Sequence, residues 1–76
     1  MKVSSQIVQR AWRPIQEFPS YEINLDGVIR KRQTQTQVAT HVGNTGLETV
    51  QLFHESRRFH RSIDALVKKA FPVHFL

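Results

Sequence analysis

The sequence predicts an α+β domain: small antiparallel β-hairpins, about four short strands in all, followed by one C-terminal α-helix that covers them. Two stretches, residues 21–32 and 47–53, alternate apolar with polar residues beside turn-forming residues, which is typical of hairpin strands. Over residues 62–71 the apolar residues instead recur at helical spacing, and Pro72 ends that pattern.

Upstream of the first hairpin, the chain is predicted to form the edge of the domain. In "AWRPI", Trp12 and Ile15 are expected to anchor the core. Pro14 restricts this piece to an edge strand or an extended lead-in, because proline donates no ladder hydrogen bond. "EFPS", with Pro19, is predicted to be a turn.

The first hairpin is predicted in "YEINLDGVIRKR". Asp26 and Gly27 favour a tight turn, because glycine readily adopts the positive φ that such turns need. Tyr21 and Ile23 before the turn and Ile29 after it are expected to share the inner face, since side chains alternate along a strand. The polar run "QTQTQ" that follows the hairpin is compatible with either a loop or an extended polar strand.

A second hairpin is predicted after the turn signal "VGNTG". The strand "LETVQLF" places Val50 and Leu52 on one face and Thr49 and Gln51 on the other. "HESR" then closes the hairpin into "RFHR", where Phe59 is expected to face inward.

The helix is predicted in "SIDALVKKAF". Ser62 is a good N-cap, and Asp64 places a negative charge in the first turn, where the helix dipole favours it. Lys68 and Lys69 lie near the C-terminal end, which suits the opposite end of the dipole.

The length of 76 residues fits one domain with a thin core. We expect this domain to occupy residues 11–72, between a flexible N-terminal arm (1–10) and a short tail (73–76). The chain has no cysteine, no secretory signal and no stretch approaching the roughly 20 apolar residues of a membrane span. A soluble, cytoplasmic protein is therefore expected.

The charge balance is basic, with eleven Lys and Arg against six Asp and Glu, a formal charge of +5 and a pI near 10.5. A basic balance on so small a body favours polyanions as partners, most often nucleic acid. Mild basicity that serves solubility alone is the alternative.

Catalytic chemistry is not predicted. The acidic residues are scattered singly, the serines lack the G-x-S-x-G setting of an activated nucleophile, and three glycines form no phosphate-binding loop. His54 and His60 flank the second hairpin and are the best candidate pair for a metal, but two histidines without a third ligand are a weak zinc signal. We expect no catalytic residue, no metal site and no cofactor.

Two cationic clusters lie on or next to the hairpins, and a two-stranded ribbon bearing Arg, Lys, Gln and Thr fits the major groove of DNA. Alternation is expected to send Arg30 and Arg32 to the outer face, and Lys31 toward the edge of the inner face. Cations that keep exposed strand edges from aggregating are the alternative, which explains one cluster more easily than two. The candidate phosphate contacts are Arg30, Lys31, Arg32, Arg57, Arg58 and Arg61, and the candidate base-edge contacts are Gln33, Gln35 and Gln37.

The stretch "AWRPIQEFPSYEINLDGVIRKR" resembles the N-terminal motif of phage-type HNH homing endonucleases of the nuclease-associated modular DNA-binding (NUMOD) class. That motif runs as W-K/R-x-I, a short loop, then Y-x-V/I-S/N-x-x-G-x-V/I-R. "GLETVQLF" is similar to the family's G-Y-x-x-V-x-L strand, and "RSIDALVKKAFP" to its V-H-R-L-V-A-x-A-F helix. The residues that match the N-terminal motif are Trp12, Arg13, Ile15, Tyr21, Ile23, Asn24, Gly27, Ile29 and Arg30.

The resemblance covers roughly residues 11–72 and departs from the family in two places. Asp64 stands where many members have the histidine of the H-R-L-V helix. The family's metal-binding D-H and the asparagines after it lie downstream of the A-F-P helix end, whereas this sequence ends at Leu76. The resemblance implies the region that engages DNA through β-ribbons, without the half that cleaves it.

We therefore expect a non-catalytic, phage-derived protein that binds double-stranded DNA in the host cytoplasm or nucleoid. A small viral regulator that binds an acidic host protein, such as a polymerase or a defence enzyme, is the alternative, because the same basic surface serves both. A nuclease completed by another subunit is a third hypothesis. The target sequence, DNA versus RNA, and the oligomeric state stay open.

Overall fold

A computed structural model describes residues 11–72, so the predicted arm (1–10) and tail (73–76) lie outside the described residues. Within that range the chain forms six strands and one helix, where about four strands were predicted. The elements are β1 (Arg13–Ile15), β2 (Phe18–Ile23), β3 (Ile29–Lys31), β4 (His41–Val42), β5 (Glu48–His54), β6 (Arg57–Ser62) and α1 (Ile63–Ala70).

The strands form two antiparallel three-stranded sheets, in the order β1-β2-β3 in the first sheet and β4-β5-β6 in the second. The α+β class is confirmed, while the count of about four strands is wrong. β1 is the edge strand that was one of the two alternatives predicted for "AWRPI", and β4 was not predicted. β1 has three residues and β4 has two. The two residues of β4 are too few for alternation to reveal a strand.

The first edge of the domain differs from the prediction at Pro19. The turn lies at Gln16 and Glu17, and Pro19 is already part of β2. The register between β1 and β2 shifts at Pro14 and Ile15. An edge strand with such an irregularity tolerates proline, because no regular ladder bond from its missing N–H is needed.

The first hairpin turns at Asn24, whose side chain is buried to 7% exposure. Its Oδ1 accepts hydrogen bonds from the backbone N–H groups of Asp26 (3.0 Å) and Val28 (2.9 Å). The Gly27 N–H donates to the Asn24 carbonyl at 3.0 Å, and Gly27 has a φ of 83°. Asn24 therefore forms an Asx-type turn that organises the predicted Asp-Gly hairpin.

Replacing Asn24 with alanine is expected to lower the free energy of unfolding by about 2 kcal/mol, because two backbone donors beneath the turn lose their acceptor. Asn24→Asp keeps an acceptor oxygen there and is expected to lose less. Urea unfolding followed by circular dichroism measures both. Asn44→Ala, in the exposed β4–β5 turn, is the matched control. Equal losses for Asn24→Ala and Asn44→Ala would contradict the role of this turn.

The polar run after β3 forms a tight turn with a hydrogen-bonded return segment. Gln35 adopts a φ of 61°, and its N–H donates to the Lys31 carbonyl at 2.8 Å. The Val38 N–H donates to the Ile29 carbonyl at 2.8 Å on the return. This segment therefore covers the free edge of β3.

The second hairpin agrees with the prediction. Val50 and Leu52 are buried at 2% and 0% exposure, while Gln51 between them is exposed. Glu55 and Ser56 form the turn between β5 and β6 with φ values of 52° and 66°. Positive φ at both central residues is the geometry of the tight turns that suit twisted hairpins.

Helix α1 begins and ends as predicted. Ser62 is the N-cap, with its Oγ accepting from the Ala65 N–H at 3.4 Å. At the other end, Arg13 Nη1 donates to the Ala70 carbonyl at 3.0 Å. A cation that binds a terminal carbonyl satisfies an acceptor the helix cannot pair, so β1 fixes the end of α1.

The helix contacts β1 and β2 of the first sheet and β5 and β6 of the second. The helix and the two sheets therefore share a single core. Trp12 was predicted to anchor this core but does not belong to it. Its ring lies against Arg30 on the other face of the first sheet. No helix in residues 11–72 is long and apolar enough to span a membrane. The core consists of Ile15, Phe18, Tyr21, Ile23, Ile29, Val50, Leu52, Ile63, Leu66, Val67 and Phe71.

Candidate nucleic-acid interface

The six cations predicted to bind phosphate differ in whether a carboxylate already neutralises them. Arg30 and Arg61 each form an ion pair. No carboxylate of residues 11–72 lies within 4.0 Å of the charged nitrogens of the other four, which are Lys31, Arg32, Arg57 and Arg58. A cation without a carboxylate partner is the better phosphate contact, because it gives up no existing pair when the phosphate arrives.

Arg30 serves the fold of the first sheet. Its Nε donates to Glu22 Oε2 at 2.5 Å across the β2–β3 pair, where the two residues face each other. Its guanidinium carbon lies 3.8 Å from the centre of the Trp12 ring, a cation–π geometry. Both ends of this pair are half-buried or better, so Arg30 ties β2, β3 and the Trp12 ring together.

Arg61 ties the two sheets together. Its Nε lies 3.7 Å from Glu17 Oε1, and its guanidinium carbon lies 5.2 Å from the Phe18 ring and 5.4 Å from the Phe59 ring. Arg57 lies on the same face, 5.9 Å from the Phe59 ring centre. On this face of the second sheet, the Phe18 and Phe59 rings therefore lie beside Arg61, and the Phe59 ring also lies beside Arg57.

Alternation along β6 sends Arg58 to the opposite face. Its cross-strand partner there is Phe53, and the neighbouring pair on the same face is Gln51 with His60. All four side chains are exposed. We call these four residues (Gln51, Phe53, Arg58 and His60) the outer face of the second sheet.

The end of β3 carries Lys31 and is followed by Arg32, and we call these two residues the cationic end of the first sheet. The outer face of the second sheet meets it at Phe53. The Phe53 N–H donates to the Tyr21 hydroxyl at 3.2 Å, which connects β5 to β2. Tyr21 faces Lys31 across the β2–β3 pair, so Lys31 points toward the second sheet. The space between the sheets is a cleft of about 680 Å³, the junction cleft, lined by Pro19, Ser20, Tyr21, Lys31, Arg32, Gln33, Thr34 and Phe53.

Arg32 joins Lys31 in this cleft, so the prediction that it shares the face of Arg30 is wrong. β3 ends at Lys31, and Arg32 lies in the turn that follows. The Arg32 Nη1 donates to the Pro19 carbonyl at 3.2 Å, and its N–H donates to the Ser20 carbonyl at 2.9 Å. Alternation predicts a side-chain direction only within a strand, which is why it failed here.

The three predicted base-edge residues are exposed but lie in different places. Gln33 lines the junction cleft. Gln35 occupies the positive-φ position of the turn, and Gln37 is bridged to Arg30 on the return segment. Of the three, Gln33 is therefore the one that lines the junction cleft together with Lys31 and Arg32.

None of the acidic residues of 11–72 lines the junction cleft or is one of the four residues of the outer face. Glu17, Glu22, Glu55 and Asp64 each lie within 4.0 Å of a basic side chain, and Glu48 accepts from the Thr40 hydroxyl at 2.6 Å. No acidic residue lines the junction cleft. Because no carboxylate repels phosphate there, the local field favours anions.

The histidine pair considered for metal binding is separated by the second sheet. His54 shares the face of Leu52, and its ring lies 6.4 Å from the Phe18 ring, edge to face. His60 belongs to the outer face. No group of three His, Asp or Glu side chains suited to a metal occurs within residues 11–72.

Phe53, which is 53% exposed, was not among the predicted site residues. The signal was present, because alternation from Thr49 and Gln51 places Phe53 on their face. An aromatic residue that is exposed beside cations is a frequent component of nucleic-acid binding surfaces.

These elements are arranged as in part of a known DNA enzyme. The structure of the HNH homing endonuclease I-HmuI, which describes DNA binding and cleavage by that enzyme, matches with a TM-score of 0.74 and 16% sequence identity. The fold resembles one part of an HNH homing endonuclease. The match covers 80% of this chain and 36% of the endonuclease chain.

At this level of identity the likeness shows a shared fold. The resemblance to HNH homing endonucleases noted in the sequence is confirmed to that extent. No family model matches the chain, and no curated protein matches it in sequence.

Proposed function

We propose that residues 11–72 bind double-stranded DNA through the outer face of the second sheet and the cationic end of the first, and do not cut it. The observation that carries the proposal is the arrangement around Phe53. Lys31 and Arg32 line the same cleft as this exposed ring, and Arg58 lies directly across the β5–β6 pair from it. None of these three cations has a carboxylate partner within the described residues. The fold shared with part of I-HmuI, an enzyme described as binding DNA, supports the same function.

The β5–β6 hairpin has the dimensions of a ribbon that enters the major groove. Gln51 and His60 form a pair on its outer face, and both side chains carry hydrogen-bonding groups suited to base edges. Arg58 and Arg57 lie on opposite faces near the hairpin tip. Cations on both faces suit a groove, because a phosphate backbone runs along each of its sides.

Salt dependence tests this proposal. Each phosphate contact with duplex DNA adds about −0.9 to the slope of log K against log salt, so four such cations predict a slope of about −3.6. Removing three of them in Lys31→Ala/Arg32→Ala/Arg58→Ala is expected to reduce the slope to about −1 and to weaken binding at low salt. Fluorescence anisotropy with a labelled duplex measures both quantities.

Lys68→Ala is the matched control, because Lys68 is exposed on α1 and pairs with Asp64 at 2.9 Å. It is expected to leave the slope unchanged. A slope near zero for the unaltered chain, or an unchanged slope in the triple variant, contradicts the proposal.

The proposal that this region does not cut DNA is supported by how its acids are used. Four of them already contact basic side chains, as described above, whereas metal-assisted phosphodiester hydrolysis needs carboxylates or histidines converging on the ion. Supercoiled plasmid incubated with the pure chain and magnesium or manganese is expected to stay supercoiled. Accumulation of nicked circles would show that the chain cuts.

A further inference from the structure

The junction cleft has one wall that phosphate binding does not explain. The Phe53 ring is 53% exposed, and within residues 11–72 it makes no ring–ring or cation–π contact. Its backbone is held by the Tyr21 hydroxyl at 3.2 Å. The molecule therefore presents an aromatic surface at a defined position and leaves it unoccupied by its own side chains.

The same cleft is also lined by cationic and polar residues. Arg32 uses one guanidinium N–H on the Pro19 carbonyl, which orients the group and leaves its other donors free. Lys31 adds an ammonium group from the end of β3, and Gln33 adds a neutral amide from the turn. The Thr34 hydroxyl is already bonded to Thr36. At about 680 Å³ the cleft is in the range of small-molecule sites.

One cleft therefore combines an exposed aromatic ring with two cations that have no carboxylate partner within residues 11–72, and these suit the base and the phosphate of a nucleotide. We infer that the junction cleft takes one unstacked nucleotide, whose base stacks on Phe53 and whose phosphate is held by Lys31 and Arg32. This inference rests on the proposed function for those two cations and adds to it a base-binding site. A paired base inside a duplex cannot offer its flat face to Phe53, because its neighbours in the stack cover both sides. The nucleotide is therefore unpaired in a strand, or free in solution as a nucleoside monophosphate.

Two duplexes that differ by one nucleotide test the inference. One is fully paired, and the other has the same sequence with a single extra unpaired thymidine at its centre. Binding of the full 76-residue chain to each is measured by fluorescence anisotropy. Stacking of one base on an aromatic side chain predicts that the bulged duplex binds about tenfold more tightly. Phe53→Ala is expected to remove this preference, and Phe53→Trp is expected to keep it.

A bulge also makes DNA easier to bend, so a control is needed to show that the preference for the bulged duplex depends on the Phe53 ring. Leu47→Ala is the matched control, because Leu47 is a 50% exposed apolar residue outside the junction cleft. It is expected to retain the tenfold preference. Equal affinity of the unaltered chain for the two duplexes overturns the inference, as does a preference that survives in Phe53→Ala.

Competition with thymidine monophosphate distinguishes the two sources of the nucleotide. Displacement of the bulged duplex at millimolar concentration shows that the cleft accepts the free nucleotide. A tenfold bulge preference without displacement shows that it needs the nucleotide within a strand. Salt-dependent binding of the paired duplex without any bulge preference leaves the proposed function standing and removes this inference. Binding of the bulged duplex without any binding of the paired duplex contradicts the proposed binding of duplex DNA and leaves the base-binding site standing.

Discussion

Replacing Gly27 with alanine is expected to lower the free energy of unfolding by about 3 kcal/mol. Gly27 has a φ of 83°, and a Cβ at this position lies 2.8 Å from Cγ2 of Ile63. Positive φ costs an L-residue about 1–2 kcal/mol, and overpacking a buried site costs about 1–3 kcal/mol. Ile63 is buried at 6% exposure and β-branched, so it has little freedom to move away.

Gly46→Ala separates the two contributions. Gly46 has nearly the same φ, 82°, but a Cβ there meets no atom within 4 Å. We expect a loss of about 1 kcal/mol, from the backbone alone. For a domain of this size, 1 kcal/mol shifts Tm by about 4–8 °C, so thermal unfolding should separate the two variants by about 10 °C. Equal shifts in the two variants would mean that α1 moves to relieve the contact.

Phe18→Ala is expected to lower the free energy of unfolding by about 4 kcal/mol, the usual cost of removing a buried phenylalanine. Phe18 is 2% exposed, and its ring lies 5.4 Å from the Phe59 ring of the second sheet. The substitution removes the aromatic contact that joins β2 to β6. In a domain with so thin a core, we expect the variant to be largely unfolded at 37 °C.

Phe53→Ala makes the same chemical change on the surface. Because Phe53 is half-exposed, we expect its loss to change the free energy of unfolding by only about 0.5 kcal/mol. Urea titration of both variants measures the contrast. A loss for Phe53→Ala close to that of Phe18→Ala would mean that Phe53 supports the fold rather than a ligand.

The elements that sequence reasoning predicted correctly depend on local contacts. The Asp26–Gly27 turn, the buried pair Val50 and Leu52, and the Ser62 cap each follow from residues only a few positions apart. The wrong predictions concern features that strand periodicity and turn-forming residues do not determine. The edge strand β4 is too short for periodicity, and the turn assigned to "EFPS" lies earlier because β2 already begins at Phe18.

The sequence predicted which cations belong to the candidate site but not how they are arranged on the surface. The Arg30–Glu22 pair could have been deduced, because the hairpin turn sets the register that places the two residues opposite each other. The pairing of Arg61 with Glu17 could not, since it joins residues 44 positions apart that only the packing of the two sheets brings together. Phosphate contact by each predicted residue stays a prediction until binding is measured.

The sequence by itself determined the α+β class, the two hairpin turns, the helix with its cap, and a basic surface rich in arginine. Only the tertiary structure decided which cations are neutralised, and that Lys31, Arg32 and Phe53 line the same cleft. The physical reason is the range of the interactions. Strand alternation, turn conformation and capping act over a few residues, whereas the junction cleft exists because β2 and β5 pack together through the bond from the Phe53 N–H to the Tyr21 hydroxyl.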